Sequence, residues 1–283
     1  SYDALAQAVS GFTAVSGFPG RPPLKIGIYI GDYFGACLSA LGVLAALHYR
    51  DRTGKGQFIE VAQCEALLRA MDWTWVYGGL TGKNRPPTGN RDLSACPSGI
   101  YACRDGFVAV AVIDDRAFKG LCLAMGQPDL ATDQRFLTRA DRAVEVHARH
   151  LDEIIGAWVA GMMRADVEEA ARKHGFSAAA VATAKDHYDD PHLRARGSVW
   201  EMDDPVYGHM VEHGPAPKLS ETPARYKWAG KPVGFHNEYV LGRLLGLRPE
   251  QLKDLEQRGV IGKWADRRGP KPPDGWDGEG IIG

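Results

Sequence analysis

A single carboxylate, Asp32, lies at a position where it could act as a nucleophile. It follows Gly31 in the turn Ile30-Gly31-Asp32-Tyr33 and comes just before the most apolar helical stretch of the chain, residues 33–50. The first turn of a helix has backbone N–H groups without partners, which orient a nearby carboxylate and keep it ionised. An attacking oxygen needs both properties. The competing interpretation is an ordinary N-cap Asp on a core helix, and on this residue alone that interpretation is favoured.

The composition excludes several classes of protein. Of the 283 residues, 45% are apolar and 24% are charged, as in soluble globular proteins. The net charge of −1, with Lys and Arg scattered, argues against nucleic-acid binding. The apolar segment 35–47 is too short to span a membrane, and residues 1–4 carry no signal-peptide pattern. The five cysteines are odd in number and lack metal-ligand spacing, which predicts reduced thiols in a cytoplasm and no metal site.

The periodicity of apolar residues and the clusters of Gly, Pro and Asn predict the order of elements in the first third of the chain. The predicted elements are a helix over 3–15, a short strand or extended loop over 24–30, a helix over 33–50, a strand over 57–61, a helix over 62–79 and a loop over 81–97.

The character of the sequence changes at residue 98, where a β-hairpin with an Asp-Gly turn is predicted over 99–112. The later predicted elements are helices near 115–125, 142–161, 166–173 and 184–188, strands over 197–203 and 209–213, and helices near 236–245 and 249–258. From residue 267 the chain has too little apolar content to pack, which predicts a tail that is mobile or held by another chain.

Several short segments match, in order and spacing, the pattern of one enzyme family. They include Tyr2-Asp3, Gly31-Asp32-Tyr33, Arg52-Thr53-Gly54-Lys55-Gly56-Gln57, Gly89-Asn90-Arg91, Asp105-Gly106-Phe107 and Asp190-Pro191-His192-Leu193. Each segment is a weak signal by itself, but their order across residues 2–262 is specific. The chain therefore resembles the class III coenzyme A transferases, the CaiB/BaiF family.

The resemblance implies an activity and a set of site residues. Members of the family move coenzyme A from an acyl-CoA to a free carboxylic acid, through a mixed anhydride and an aspartyl-CoA thioester. Asp32 matches the family's nucleophilic aspartate. The resemblance further implies that substrate and coenzyme A are bound by residues at five matching positions, namely Tyr2, Asp3, Gly31, Asn90 and Arg91. Coenzyme A would be a substrate, with no permanently bound cofactor.

The resemblance also implies a fold and an assembly. The fold is α/β, with a Rossmann-like large domain, partial in this chain, and a smaller α+β domain. The implied division is a large-domain portion over 1–80, a linker over 81–97, the small domain over 98–224, C-terminal helices returning to the large domain over 225–265, and a tail over 266–283. Family chains open with a βαβ segment that supplies much of the coenzyme A site, and Ser1 matches a point after it. The chain is therefore expected to be either a fragment or one of two polypeptides. The resemblance implies an interlocked homodimer, or a heteromer with a chain that supplies that segment.

Two alternatives remain open. The related α-methylacyl-CoA racemases place a histidine where this chain has Tyr2, because exchange of the proton beside the thioester needs a second acid/base group. A tyrosine is a poor acid/base group for that exchange at neutral pH, which favours transfer over racemisation. The other alternative is a non-catalytic subunit that supports a catalytic relative.

The candidate residues near the N-terminus also have structural interpretations. Tyr2 could be a packing residue at a helix start, and Asp3 could be a helix cap. Gln7 could bond the active carboxylate or only the backbone, and a structural role is favoured.

Two further segments are ambiguous in the same way. The Gly-rich turn over 52–57 resembles a phosphate cradle but is explained as a connector between a helix and a strand. The aromatic residues Trp73, Trp75 and Tyr77 could line the acyl side of the site, or belong to a core or a subunit interface.

Overall fold

The structure is a computed structural model of the chain, and it describes residues 2–92, 95–204, 207–225, 229–231 and 233–263. The chain divides into two compact units, Ser1–Val181 and Ala182–Gly283. This boundary lies inside the small domain predicted over 98–224, because the strand that ends at Ala180 completes the sheet of the first unit. The predicted domain limits at 80, 97, 224 and 265 stay predictions. The predicted tail over 266–283 lies outside the described residues.

The N-terminal part of the first unit is helical. Its elements are α1 (Asp3–Val9), α2 (Phe12–Val15), α3 (Ile30–Thr53), α4 (Gln63–Arg69) and α5 (Thr74–Thr81). The helix predicted over 3–15 is broken at Gly11, and the helix predicted over 62–79 is broken at Asp72. Both residues have a left-handed backbone, with φ of 80° and 45° respectively, which ends a right-handed helix. The predicted strand over 57–61 is wrong, because no strand of the described chain pairs with it.

Helix α3 is longer than the sequence suggested. It has 24 residues and ends at Thr53, and the following Gly54, with φ of 72°, provides the left-handed C-terminal stop. By length and composition alone it could cross a membrane, which corrects the expectation that this segment is too short. The core helix of a soluble protein meets the same criterion. The first turns of α3 pack against α1 and α4, and its only buried residues, Gly31 and Gly35, lie there.

A three-stranded antiparallel sheet and its helices form the rest of the first unit. The strands are β1 (Ser98–Cys103), β2 (Gly106–Ala111) and β3 (Ser177–Ala180), and the α-helices are α6 (Asp115–Ala124), α7 (Arg139–Arg142), α8 (Glu145–Ala160) and α9 (Arg164–His174), with a 3-10 turn at Pro128–Thr132. The predicted hairpin is confirmed, with Cys103 opposite Gly106 and Ser98 opposite Ala111. Alternate residues of β2 face the core, where Val108 and Val110 pack with apolar side chains of α6 and α8.

The second unit carries the remaining elements. They are α10 (Ala184–Asp189), α11 (Pro191–Ala195), the antiparallel strands β4 (Val199–Asp204) and β5 (Gly208–His213), a π-helical segment Glu238–Leu244 and α12 (Pro249–Gln257). The buried carboxylate of Asp204 accepts hydrogen bonds from Ala229 N at 2.9 Å and from Lys231 Nζ at 2.7 Å. This ion pair fixes residues 229–231 against β4. Helices and sheets thus both occur in the chain, which confirms the predicted mixed α/β class.

Candidate active site

Asp32 lies in the first turn of α3. The helix begins at Ile30 and its N-cap is Tyr29, so Asp32 is the third helical residue and the N-cap interpretation is wrong. A carboxylate in this turn is stabilised by the positive end of the helix dipole. Within this chain the side chain is exposed, and one of its oxygens, Oδ1, accepts a hydrogen bond from Gln63 Nε2 at the start of α4. This hydrogen bond makes the two carboxylate oxygens of Asp32 inequivalent.

The backbone beneath Asp32 is fixed by a buried pair, Asp3 and Gln7 on α1. Their residues are 4% and 0% exposed, and Gln7 Nε2 donates to Asp3 Oδ2 at 2.7 Å. Asp3 Oδ1 accepts the backbone N–H of Gly31 at 2.8 Å. Asp3 is thus the first residue of α1 but does not cap it, because its carboxylate is used across the chain to hold the start of α3.

Gln7 extends the same network to the loop that leads into α3. Its Oε1 accepts from Ile26 N at 3.1 Å, and its Nε2 lies 3.3 Å from Ile28 O. Gln7 therefore bonds the Asp3 carboxylate as well as the backbone, and it reaches Asp32 only through Asp3 and Gly31. A rigid turn before the carboxylate is what an oriented nucleophile requires.

Gly31 is required by the space around it. A methyl group added there would lie 3.1 Å from Asp3 Oδ1 and 3.3 Å from Leu67 Cδ1 on α4. Both distances are shorter than ordinary van der Waals contacts to carbon. The absence of a side chain allows α1, α3 and α4 to meet directly behind Asp32.

Tyr2 precedes this group and is the N-cap residue of α1. Its carbonyl accepts the N–H of Leu5 at 2.9 Å, while its residue is 80% exposed. The side chain is not packed within this chain, which disfavours the packing interpretation. The structure thus brings Asp3 and Gly31 into contact beside Asp32, and Tyr2 adjoins them only as the chain neighbour of Asp3.

Gln63 was not anticipated from the sequence, although a signal for it existed. The residues three and four positions later, Ala66 and Leu67, are buried, so Gln63 shares the inward face of α4. A polar residue on an otherwise apolar helix face is more informative than a polar residue on a solvated face. A methyl group at Gly35 would lie 3.7 Å from Gln63 Cγ, an ordinary contact distance, so this contact does not depend on a glycine there.

Asn90 and Arg91 lie in another environment. Both line a cavity of about 410 Å³ whose walls include Phe18 and Tyr101, and no residue of the Asp32 group lines it. Arg91 Nη2 lies 2.6 Å from Asp152 Oδ2 on α8. The structure therefore does not join these two predicted binding residues to the Asp32 group.

Two acidic residues of α8 neutralise the charge of Arg91. Its Nη1 lies 3.0 Å from Glu145 Oε2, and Tyr101 donates to the other oxygen of Asp152 at 2.8 Å. Hydrogen bonds from Arg149, together with the charge of Arg91, hold the pKa of Glu145 below its usual range. Burial, followed by the charge of Asp152, raises the pKa of Tyr101. In this chain Arg91 ties the segment after residue 81 to α8.

A cavity of about 920 Å³ lies beside α5. Trp75 lines it and is exposed, while Trp73 packs edge-on against Tyr77 at 5.7 Å between ring centroids and under the guanidinium of Arg85 at 4.1 Å. Asp32 does not line this cavity, so a role in acyl recognition stays a prediction. Among the described residues, no group of three or more His, Cys, Asp or Glu is placed to hold a metal ion.

Comparisons with known proteins agree with the resemblance seen in the sequence. The family model described as CoA-transferase family III matches residues 1–237. Succinyl-CoA–D-citramalate CoA-transferase of Chloroflexus aurantiacus is 38% identical over 261 residues, which cover 92% of this chain and 64% of the relative. The beta subunit of succinyl-CoA–L-malate CoA-transferase from the same organism is 33% identical, covering 91% and 64%.

Solved structures give the same result. A CAIB/BAIF family protein from Brucella suis superposes with a TM-score of 0.73 at 25% identity, covering 86% of this chain and 63% of that protein. The chain therefore spans just under two thirds of the length of these relatives. On the extent of the family match and the identity to curated relatives, the chain belongs to CoA-transferase family III.

Proposed function

We propose that this chain carries the nucleophile of a coenzyme A transferase and that the nucleophile is Asp32. The observation that supports it is an accessible carboxylate on a rigid backbone turn. The Asp32 side chain is exposed, while the N–H of Gly31 before it is held by the buried Asp3 carboxylate at 2.8 Å. A nucleophile that is already oriented loses little entropy on attack.

The proposed reaction consists of acyl transfers of nearly equal energy. An oxygen of Asp32 attacks the thioester carbon of the donor, the C–S bond breaks, and a mixed anhydride and a coenzyme A thiolate form. The thiolate attacks Cγ of Asp32 and expels the donor acid as its carboxylate, which leaves an aspartyl-CoA thioester. The acceptor carboxylate then attacks Cγ and releases the thiolate, which attacks the acceptor's acyl carbon and restores Asp32.

Water would hydrolyse both intermediates, so the exposed surface around Asp32 must be covered during turnover. Helix α3 also exposes apolar side chains such as Leu41 and Leu44, the latter 63% exposed. A surface of this kind is typical of a protein interface. We propose that a second polypeptide segment covers it, in a homodimer or in a heteromer. Relatives named as alpha and beta subunits of one transferase support an assembly of subunits.

The substrates proposed are an acyl-CoA and a short dicarboxylic acid. Relatives that are 31–38% identical are named for succinyl-CoA with citramalate, malate or mesaconate. A relative that is 32% identical is named for bile acids, so the acceptor is the less constrained of the two. We place the reaction in the cytoplasm, which suits five cysteines that are all unpaired.

Trapping the intermediates tests the proposal. The complete native protein is incubated with succinyl-CoA and then with hydroxylamine, which converts an activated aspartyl group to a hydroxamate, and the modified peptide is mapped by mass spectrometry. The hydroxamate is expected at Asp32 and is expected to vanish in Asp32→Asn. Asp51→Asn, an exposed change on the same helix, is the matched control and keeps the adduct. A hydroxamate at another residue, or one that persists in Asp32→Asn, rejects the proposal.

A further inference from the structure

The contact between Gln63 and Asp32 distinguishes the two carboxylate oxygens. Gln63 Nε2 donates to Oδ1 of Asp32, from a helix that packs beside α3. A donor on one oxygen draws charge toward it and leaves the other oxygen as the better nucleophile. The contact joins residues 31 positions apart, so it depends on the packing of α3 and α4.

The chemistry proposed above gives the two oxygens different fates. The attacking oxygen, Oδ2, becomes the bridge of the mixed anhydride and leaves with the donor acid when its bond to Cγ breaks. Oδ1 stays on Cγ throughout. When the coenzyme A thiolate attacks Cγ, the electron pair of the C=O bond moves onto Oδ1, and that oxygen carries the negative charge of the tetrahedral intermediate. The same oxygen carries the charge again when the acceptor carboxylate attacks Cγ.

We propose that Gln63 is the oxyanion donor for the steps that take place at the aspartyl carbon. The inference rests on the proposed function, because it assigns a role within that reaction. The amide donates to Oδ1 before any substrate arrives, so no rearrangement is needed when the charge develops. The steps at the acyl carbons of donor and acceptor place their charge on substrate oxygens, which Gln63 does not contact in the resting site. Gln63 should therefore affect one kind of step and not the other.

Two variants test this separation. Gln63→Leu removes the donor, and Gln63→Glu replaces it with a group of nearly the same size that cannot donate when ionised. With donor acyl-CoA alone, release of the first thiol reports attack by Asp32, while the mass of the CoA adduct on Asp32 reports attack at Cγ. Rapid-quench sampling of the complete native protein measures both.

In both variants we expect thiol release within about threefold of the wild-type rate. Formation of the CoA adduct should slow by roughly 100-fold to 1,000-fold, as for removal of one oxyanion donor. The acyl adduct then accumulates at Asp32. The matched control is Gln134→Leu, the same change at an exposed position in the loop before α7, and it should leave both rates unchanged.

The possible failures are distinguishable. Equal slowing of both steps would assign Gln63 a merely structural role and overturn the inference, as would normal formation of the CoA adduct. In either case the adduct at Asp32 still supports the proposed function. Absence of any adduct at Asp32 in the wild-type protein would instead reject the proposed function itself.

Discussion

The buried carboxylate of Asp3 offers the most direct perturbation of the structure behind Asp32. In Asp3→Ala the N–H of Gly31 and the amide of Gln7 both lose a charged acceptor, at 2.8 Å and 2.7 Å respectively. Hydrogen bonds to charged groups contribute about 1.5–3 kcal/mol each, and part of that is offset by relief of the cost of burying a carboxylate. We expect a net loss of about 3 kcal/mol in the local stability of the α3 start.

Asp3→Asn separates the two bonds. The amide oxygen of the substituted side chain can still accept the N–H of Gly31, but its NH₂ group would face the NH₂ group of Gln7. Gln7 cannot turn its amide round without losing the hydrogen bond that its Oε1 accepts from Ile26 N. One bond is lost and one is kept, so the expected loss is about 1–1.5 kcal/mol. We therefore expect Asp3→Ala to destabilise the start of α3 more than Asp3→Asn does.

Hydrogen exchange of the Gly31 amide measures this loss at the affected atom. A loss of 3 kcal/mol corresponds to roughly 100-fold faster exchange where exchange follows local opening. Asp51→Asn, on the exposed surface of the same helix, serves as the control and should leave Gly31 unchanged. Unchanged exchange of the Gly31 amide in Asp3→Ala would refute the conclusion that this carboxylate holds the turn.

The remaining predictions concern space, charge and pH. Gly31→Ala places a methyl group 3.1 Å from Asp3 Oδ1 and should lower stability by about 1–3 kcal/mol in urea unfolding, whereas Gly35→Ala, with 3.7 Å to its nearest neighbour, should lower it far less. Arg91→Ala should reduce stability by about 2 kcal/mol, because Asp152 loses its charged partner, yet leave the first thiol release near the wild-type rate. Burial, then the charge of Asp152, raises the pKa of the Cys96 thiol from 9.0 to about 11. The thiol therefore loses its proton at a lower pH in the unfolded chain than in the folded chain, which destabilises the folded chain between about pH 9 and pH 11. The urea concentration at the unfolding midpoint should stay constant up to about pH 9 and fall toward pH 11, and this fall should be smaller in Cys96→Ala.

Local patterns were sufficient for part of this fold. The Asp-Gly turn between alternating apolar residues predicted the hairpin of β1 and β2, and the apolar run after Asp32 predicted α3. Those signals lie within the elements themselves. The break before α5 had no such signal, because it occurs at Asp72, a residue that adopts a positive φ only in particular contexts.

Contacts between distant residues account for what the sequence did not reveal. The sequence around Asp3 predicts a helix cap because that prediction uses only neighbouring residues. The partner of Asp3, Gly31, lies 28 positions away. The position of Gln63 on the inward face of α4 could be inferred from its neighbours, but its partner Asp32, 31 positions away, could not. Arg91 matched a binding motif, but the acids that pair with it come from α8, more than 50 positions later.

The most direct measurement is the fate of Asp32 when an acyl-CoA is supplied. The complete native protein is mixed with succinyl-CoA, reduced with borohydride and digested, and the peptide that contains residue 32 is weighed by mass spectrometry. A nucleophilic Asp32 predicts its conversion to homoserine, with loss of the product when the acyl-CoA is omitted. An unmodified Asp32 in a protein that still transfers coenzyme A would contradict the proposed mechanism.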